Sequence, residues 1–285
     1  MSLLVDHSFE VRALRLRAQI RALGSCVVAY SGGVDSSVVL ALAREELGDR
    51  ALAVIGRSAT YAASELEAAL TQARGLGIEP RVIATAELSD PRFANNPSNR
   101  CYFCKGELYQ QLAALAKSEG YHAVLDGTNA DDLADHRPGR RAADEHAVRS
   151  PLAECGLGKA DVRELAAQLG LPSFDKPAMP CLSSRFPYGA QITEAQLRQV
   201  EAGEAWLRAR GFREVRLRHH GTVARLELEG HELVRLASGP LRAECVAHFK
   251  GLGFAYVALD LQGFRSGSLN ETLPATSTIA LRPMP

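Results

Sequence analysis

The segment that decides the fold is Cys26-Val-Val-Ala-Tyr-Ser-Gly-Gly-Val-Asp-Ser-Ser37, and the apolar helical pattern of residues 38–47 follows it. The first five residues form a short apolar run that predicts a buried strand, and the glycine pair predicts a tight turn into the helix. Such a turn lets backbone N–H groups converge on an anion at the positive end of a helix, and Ser31, Ser36 and Ser37 add hydroxyl donors. The segment therefore predicts a phosphate-binding loop.

The same alternation of strand and helix continues on either side of this loop. Further strand patterns cover 51–55, 81–84 and 123–126, and helical patterns cover 9–23, 64–76 and 105–117. This alternation predicts an α/β fold with a doubly wound parallel sheet, and the change of pattern after Thr193 predicts a smaller C-terminal α+β domain. The expected domains are 1–170 for the phosphate loop, 171–192 for a cysteine-bearing linker, 193–275 for substrate binding and oligomerisation, and 276–285 for a tail.

The phosphate loop is not a Walker A element, because the required spacing and lysine are absent. Ser31-Gly-Gly-Val-Asp-Ser-Ser37 instead resembles the S-G-G-x-D-S signature of the PP-loop ATP pyrophosphatases. That resemblance implies cleavage of ATP between its α- and β-phosphates, so that a substrate oxygen becomes adenylated. It further implies that the loop holds pyrophosphate and that Asp35 helps to hold Mg²⁺. The residues of the loop implied to bind ATP are Ser31, Gly32, Gly33, Asp35, Ser36 and Ser37.

Three more segments narrow the family. They are Asp126-Gly-Thr-Asn-Ala-Asp-Asp132, Pro180-Cys-Leu-Ser-Ser-Arg-Phe-Pro-Tyr-Gly189 and Gly263-Phe-Arg-Ser-Gly-Ser-Leu-Asn-Glu271. Together with the phosphate loop they resemble the LarE family of ATP-dependent sacrificial sulfur transferases, which help to make the nickel-pincer nucleotide of lactate racemase. The resemblance extends from Val28 to Glu271. It implies a pyridinium-3,5-biscarboxylate mononucleotide as substrate, with Gly127, Thr128 and Asn129 at the ATP site.

Cys181 matches the sacrificial position of that family. The resemblance implies that its thiolate displaces AMP from the adenylated carboxylate, after which the Cβ–S bond breaks to leave a thiocarboxylate product and dehydroalanine. A reactive thiolate needs access and a lowered pKa, and a Pro/Ser loop with Arg185 nearby suits both requirements. Without the flanking motif, a single cysteine is more often inert.

The resemblance also implies a set of substrate contacts. They are Tyr102, which matches an aromatic that stacks on the pyridinium ring, together with Arg185, Glu204, Arg216, Arg218, Arg265 and Ser266. Strand alternation places Arg216 and Arg218 on one face, where two guanidiniums suit a single phosphate. The alternative is a pair of solvated arginines on an exposed face.

The C-x-x-C pair of Cys101 and Cys104 leaves a second mechanism open. With Cys181 these cysteines could hold three corners of a [4Fe-4S] cluster, as in some PP-loop thiolation enzymes, and a cluster would supply sulfur catalytically. The motif around Cys181 favours sacrifice of its own sulfur over the cluster.

Composition limits the partners. The chain has 33 Lys and Arg against 33 Asp and Glu, hence zero formal net charge, which favours a small mononucleotide over nucleic acid and leaves tRNA as the second choice. No apolar run approaches the roughly 18 residues of a membrane span, so we expect a cytoplasmic protein. The family resemblance implies a homo-oligomer, a hexamer built as a dimer of trimers.

Overall fold

The computed structural model describes residues 8–133, 138–177, 179–265 and 267–272. The chain divides into two compact units. The first consists of the chain up to Phe93 with Asn99–Met179, and the second consists of Ala94–Ser98 with the chain from Pro180 onward.

The first unit is built on a four-stranded sheet in the order β3-β2-β1-β4, in which every neighbouring pair is parallel. Its strands are β1 (Cys26–Ala29), β2 (Ala51–Arg57), β3 (Arg81–Ala84) and β4 (Ala123–Leu125). The helices up to the end of this unit are α1 (Phe9–Ala22), α2 (Val34–Leu47), α3 (Ala63–Gly75), α4 (Pro91–Ala94), α5 (Arg100–Glu119), α6 (Pro138–Glu145), α7 (Pro151–Glu154) and α8 (Lys159–Gln168).

Helices cover both faces of this sheet. Cys26 and Val28 of β1 belong to one buried cluster with residues of α1, α2 and α8, whereas Val27 between them belongs to a second cluster with residues of α5 and α6. Successive residues of a strand point to opposite faces, so one apolar run supplies both cores. This arrangement confirms the predicted doubly wound α/β fold.

The strand order reverses next to β1, because β2 lies on one side of it and β4 on the other. In open α/β sheets, ligands bind outside the carboxyl ends of the strands at such a reversal. The loop after β1 and the loop after β4 therefore meet at the edge where a nucleotide is expected.

The second unit contains a three-stranded sheet in the order β5-β6-β7, with one antiparallel and one parallel pair. Its strands are β5 (Val215–His220), β6 (Val223–Leu228) and β7 (Tyr256–Leu259), and its helices are α9 (Glu194–Ala209), α10 (Leu233–Ala237) and α11 (Gly239–Gly251). A short 3-10 helix, Leu182–Arg185, follows the cysteine. The mixture confirms the α+β character expected of the C-terminal region.

The short insertion Ala94–Ser98 belongs to this second unit through specific hydrogen bonds. The side-chain amide of Asn96 donates to the carbonyls of Phe186 at 3.3 Å and Pro187 at 2.7 Å. The amide of Gly189 donates back to the carbonyl of Asn96 at 2.9 Å. The insertion thus holds the segment that follows Cys181. In the described part of the chain, no helix is both long and apolar enough to cross a membrane.

Candidate functional site

The loop after β1 is held in shape by its own serines. The hydroxyls of Ser37 and Ser36 donate to the carbonyl of Gly33 at 2.7 and 3.2 Å, and the amide of Ser31 donates to the Ser36 hydroxyl at 3.2 Å. Ser36 and Ser37 are buried, whereas Ser31 is exposed. Internal hydrogen bonds therefore preorganise the turn, and Ser31 is its accessible hydroxyl.

Two glycines are required by close approaches at this edge of the sheet. Gly32 has φ +68°, and a Cβ there would lie 2.6 Å from the Cβ of Ala69 on α3. A Cβ at Gly127 would lie 2.6 Å from the backbone nitrogen of Ser36. Because real Cβ contacts are not this short, both positions require glycine. The Gly127 contact places the loop after β4 directly against Ser36, and the Gly32 contact places the loop after β1 against α3.

Asp35 lies at the centre of a small charged network. Its carboxylate accepts a hydrogen bond from Asn129 Nδ2 at 3.0 Å and forms an ion pair with Lys159 at the start of α8. The Asp35 side chain is 22% exposed and that of Lys159 is 38% exposed, so solvent and a ligand can reach both. A lysine beside the carboxylate of a phosphate loop is suited to contact phosphate once that carboxylate binds a metal cation instead.

Buried Asp126 fixes the loop after β4. Its carboxylate accepts hydrogen bonds from the hydroxyls of Thr128 at 2.7 Å, Ser150 at 2.7 Å and Tyr109 at 2.8 Å. Burial, together with the charge of Asp126, raises the pKa of Tyr109 well above its ordinary value, so this tyrosine stays a donor. The predicted residues Gly127, Thr128 and Asn129 are thereby held beside Asp35 and Ser36 in the first unit.

In the second unit, Cys181 is exposed and begins a loop that a buried arginine holds. Arg185 NH1 donates to the carbonyls of Pro180 at 2.7 Å and Cys181 at 3.2 Å. Its Nε and NH2 donate to the two carboxylate oxygens of Glu204 at 2.8 and 2.9 Å, and both side chains are only 1% exposed. Arg185 therefore acts on the cysteine backbone rather than as a free cation.

Glu204 is held ionised by its surroundings. Burial alone raises a carboxyl pKa, but Arg185 and Arg208 outweigh that effect and hold the pKa of Glu204 below its ordinary value. Arg208 donates to it at 2.7 Å and the amide of Leu217 donates at 3.1 Å. With Arg185 and Glu204 bound to each other, their direct contact with substrate stays a prediction.

Arg216 and Arg218 lie on strand β5 and are buried, so they are not the solvated surface pair that was the alternative. Arg218 donates to both carboxylate oxygens of Glu227 at 3.0 and 2.8 Å and to the carbonyl of Ser184 at 2.8 Å. The guanidinium of Arg216 lies 4.9 Å from the centre of the Phe264 ring. Burial, followed by repulsion from Arg185, lowers the pKa of Arg216 to about 10. A nearby anion would favour the charged form of such a buried guanidinium.

The other residues predicted to contact substrate are Tyr102, Arg265 and Ser266. Tyr102 on α5 donates its hydroxyl to Glu145 at 2.7 Å, and the guanidinium of Arg141 lies 4.8 Å from the centre of its ring. Arg265 forms an ion pair with Glu271 at 3.1 Å. Ser266 lies outside the described residues.

The six cysteines divide into two groups. Cys26, Cys155 and Cys245 are buried, and burial raises the pKa of each, to about 12 for Cys26 and about 11 for Cys245. Cys101 and Cys181 are exposed, and Cys104 is half-buried. Helix α5 begins at Arg100, so Cys101 and Cys104 lie three residues apart in its first turn and share a face.

Magnesium fits the chemistry at Asp35. Mg²⁺ takes oxygen ligands and is commonly bound through one or two carboxylates together with substrate phosphates. Asp35 provides a reachable carboxylate, whose two oxygens are bound by the Asn129 amide and the Lys159 ammonium. Among the residues that the structure describes, no group of three His, Cys, Asp or Glu side chains forms a ready metal site.

Sequence reasoning missed three charged residues of these networks, namely Lys159, Arg208 and Glu227. Lys159 is separated from Asp35 by 124 residues, and Arg208 and Glu227 lie in ordinary amphipathic patterns. Only the fold brings them to their partners, so no local signal marks them.

Comparison with known proteins agrees with this geometry. Residues 10–100 match the family described as NAD synthase. The chain is 31% identical over 219 residues to the tRNA-specific 2-thiouridylase MnmA of Azorhizobium caulinodans, but it covers only 55% of that protein.

Two relatives match nearly the whole chain. An uncharacterized protein of Synechocystis is 45% identical over 264 residues, which are 93% of this chain and 98% of that protein. The pyridinium-3,5-bisthiocarboxylic acid mononucleotide synthase of Lactiplantibacillus plantarum is 40% identical over 259 residues, which are 90% of this chain and 93% of that protein. The chain therefore belongs to the family of that synthase.

Proposed function

We propose that this chain is an ATP-dependent sulfur transferase that converts a carboxylate of pyridinium-3,5-biscarboxylate mononucleotide to a thiocarboxylate, a step toward the nickel-pincer nucleotide of lactate racemase. The observation that carries the proposal is the presence, in one chain of this family, of a complete PP-loop and an exposed Cys181 whose backbone is held by a buried arginine.

The first step is adenylation. A carboxylate oxygen of the substrate attacks the α-phosphorus of ATP, and pyrophosphate leaves with the electrons of the broken P–O bond. The turn from Ser31 to Ser37 presents backbone N–H groups to that leaving group at the start of α2. Asp35 would hold Mg²⁺, which would neutralise phosphate charge when bound. Lys159, which pairs with Asp35, would contact phosphate once a cation bound that carboxylate.

The second step transfers sulfur. The thiolate of Cys181 attacks the activated carbonyl carbon and AMP leaves, which gives a thioester on the protein. Removal of the Cα proton of Cys181 then forms the Cα=Cβ bond and breaks the Cβ–S bond, so the thiocarboxylate departs and dehydroalanine remains. Each chain can therefore donate one sulfur.

Arg216 and Arg218 are proposed to bind the phosphate of the mononucleotide. Arg218 pairs with the buried carboxylate of Glu227, and Arg216 lies buried beside Phe264 on the same strand. Two buried guanidiniums on one strand provide charged hydrogen-bond donors of the kind that bind phosphate, which supports this proposal.

A cluster-dependent donor is the alternative mechanism, because the three thiols that are not buried are the three cysteines it needs. A [4Fe-4S] cluster on Cys101, Cys104 and Cys181 would accept added sulfide and permit repeated turnover.

Whole-protein mass spectrometry after one turnover with ATP, Mg²⁺ and the mononucleotide tests the proposal. We expect a loss equal to one H₂S, localised to residue 181, and continued pyrophosphate release by Cys181→Ala. Cys101→Ala and Cys104→Ala are matched controls that should transfer sulfur nearly normally. Brown anaerobic protein, multiple turnovers driven by sulfide and equal dependence on all three cysteines would establish the cluster mechanism. Thiolation of tRNA would show that tRNA, rather than the mononucleotide, is the substrate.

Two further features are proposed from the family resemblance. The use of ATP suits a cytoplasmic location. Assembly into a hexamer as a dimer of trimers is checked by light scattering on the purified protein.

A further inference from the structure

The first turns of α3 are fixed directly against the PP-loop. Tyr61, just before the helix, donates its hydroxyl to the carbonyl of Ser31 at 2.8 Å and to that of Glu65 at 3.3 Å. One turn later, Ala69 packs against Gly32, and a Cβ added at Gly32 would lie only 2.6 Å from the Cβ of Ala69. The position of Glu65 is therefore tied to the position of the phosphate loop.

Glu65 forms an ion pair with Lys176, with Nζ and Oε2 separated by 2.7 Å and the side chains 24% and 18% exposed for Lys176 and Glu65. The amide of Lys176 donates to the carbonyl of Ser173 at 3.1 Å, and the Ser173 hydroxyl accepts from Gln72 of α3 at 3.1 Å. Ser173 is buried. Helix α3 thus holds the segment Ser173–Lys176 at two points.

Helix α8 holds the same segment from another direction. Arg163 donates through NH1 to the carbonyl of Phe174 at 3.1 Å and through NH2 to the carbonyl of Lys176 at 3.2 Å. Arg163 lies one turn after Lys159, the lysine paired with Asp35. The two helices that pack beside the phosphate-loop residues therefore both bind this segment.

Lys176 is five residues before Cys181, and the intervening sequence contains Pro177 and Pro180. Five extended residues reach at most about 18 Å, and each proline fixes its own φ. A fixed starting point at Lys176 therefore limits the positions that the thiol can sample.

We propose that the Lys176–Glu65 ion pair is a positioning device for sulfur transfer: it anchors the chain that leads into the Cys181 loop to the helix that packs on the PP-loop. The inference rests on the proposed function. Adenylation needs only the ATP site and the substrate, whereas transfer needs the thiol held near the activated carbonyl. The ion pair acts on the second step alone.

The test measures the two steps separately in single-turnover experiments, with pyrophosphate release for adenylation and thiocarboxylate formation for transfer. Glu65→Gln and Lys176→Met should slow transfer about 10–100-fold, since small misplacements of a reacting group cost rates of this order. Pyrophosphate release should change by less than about twofold, because neither side chain belongs to the ATP network. Glu79→Gln is the matched control, since Glu79 pairs with Arg74 at the other end of α3 and both are exposed.

Lys176→Arg, and the reversed pair Glu65→Lys with Lys176→Glu, should restore much of the transfer rate. Thermal unfolding of each variant accompanies the kinetics. Wild-type transfer rates in both single variants, or a parallel loss of pyrophosphate release, would overturn the positioning role while leaving the proposed function standing. Wild-type protein that forms no thiocarboxylate would overturn the proposed function, and the inference would fall with it.

Discussion

Replacement of Glu204 by Gln tests how the cysteine loop is held. The Glu204 carboxylate accepts two hydrogen bonds from Arg185, one from Arg208 and one from the amide of Leu217, at distances from 2.7 to 3.1 Å. Glutamine has the same shape but no charge, and its NH₂ group would face guanidinium donors. The guanidinium of Arg185, in a side chain that is 1% exposed, would lose its carboxylate partner.

The cost can be worked from this geometry. Breaking a buried pair by neutralising one partner destabilises a protein by about 3–5 kcal/mol, because the other charge is left uncompensated. Arg208 is 30% exposed and keeps water as a partner, so the cost falls mainly on Arg185. With a urea m-value of about 2–3 kcal/mol/M, the midpoint of unfolding should fall by about 1–2.5 M.

Equilibrium urea unfolding at pH 7 measures this shift, and the double variant Arg185→Met with Glu204→Leu is the informative control. Removing both charges together should recover most of the stability. Yet the double variant should still transfer sulfur poorly while releasing pyrophosphate, because the carbonyls of Pro180 and Cys181 have lost their donor. A midpoint shift below about 0.3 M for Glu204→Gln, or a double variant no more stable than the single one, would refute the reasoning.

Two other predictions concern charge. Lys159→Met should weaken Mg-ATP binding or pyrophosphate release by about 1.5–3 kcal/mol, the value of a charged hydrogen bond, and calorimetric titration should show that Lys159→Arg keeps most of it; unchanged affinity in the methionine variant would exclude the phosphate contact. Burial lowers the pKa of both His219 and His248, so each stabilises the fold while neutral, and that contribution is lost as pH falls below the ordinary histidine value of about 6.5. The urea midpoint should therefore drop between pH 7.5 and 5.5, and His248→Phe, which keeps a ring against Trp206 at the site of the present 5.0 Å stack, should reduce that drop; an equal drop in the variant would contradict this assignment.

Much of the first unit could be predicted because its determinants are local. Within a dozen residues, the apolar run at Cys26 predicts a strand, the glycine pair predicts a turn, and the serines indicate an anion site. Helix α6 could not be predicted, because Pro138–Glu145 is mostly polar and is packed by tertiary contact of Ala142 and Ala143 with the α5 side of the core. Local pattern is a weak guide wherever burial depends on distant elements.

The second unit was harder to predict from the sequence, because its burial also depends on distant elements. The sequence is equally consistent with solvated and with ligand-binding roles for Arg216 and Arg218, because strand alternation shows that they share a face but not whether that face is buried. The structure resolves this through Glu227 on β6, which lies opposite Arg216 in the sheet register and binds Arg218. Likewise, no composition shift marks the insertion of Ala94–Ser98, since its membership depends on the hydrogen bonds of Asn96.

Burial also decides which thiols can take part in the chemistry. Burial raises the pKa of the Cys26 thiol to about 12, so this thiol stays protonated near pH 7, whereas attack on a carbonyl or ligation of iron needs the thiolate. Cys155 and Cys245 are disfavoured in the same direction. Both donor mechanisms therefore draw on Cys101, Cys104 and Cys181, and their cysteine requirements differ, because only the cluster mechanism needs the first two. The dependence of sulfur transfer on the α5 pair, rather than on Cys181, is thus the measurement that separates them.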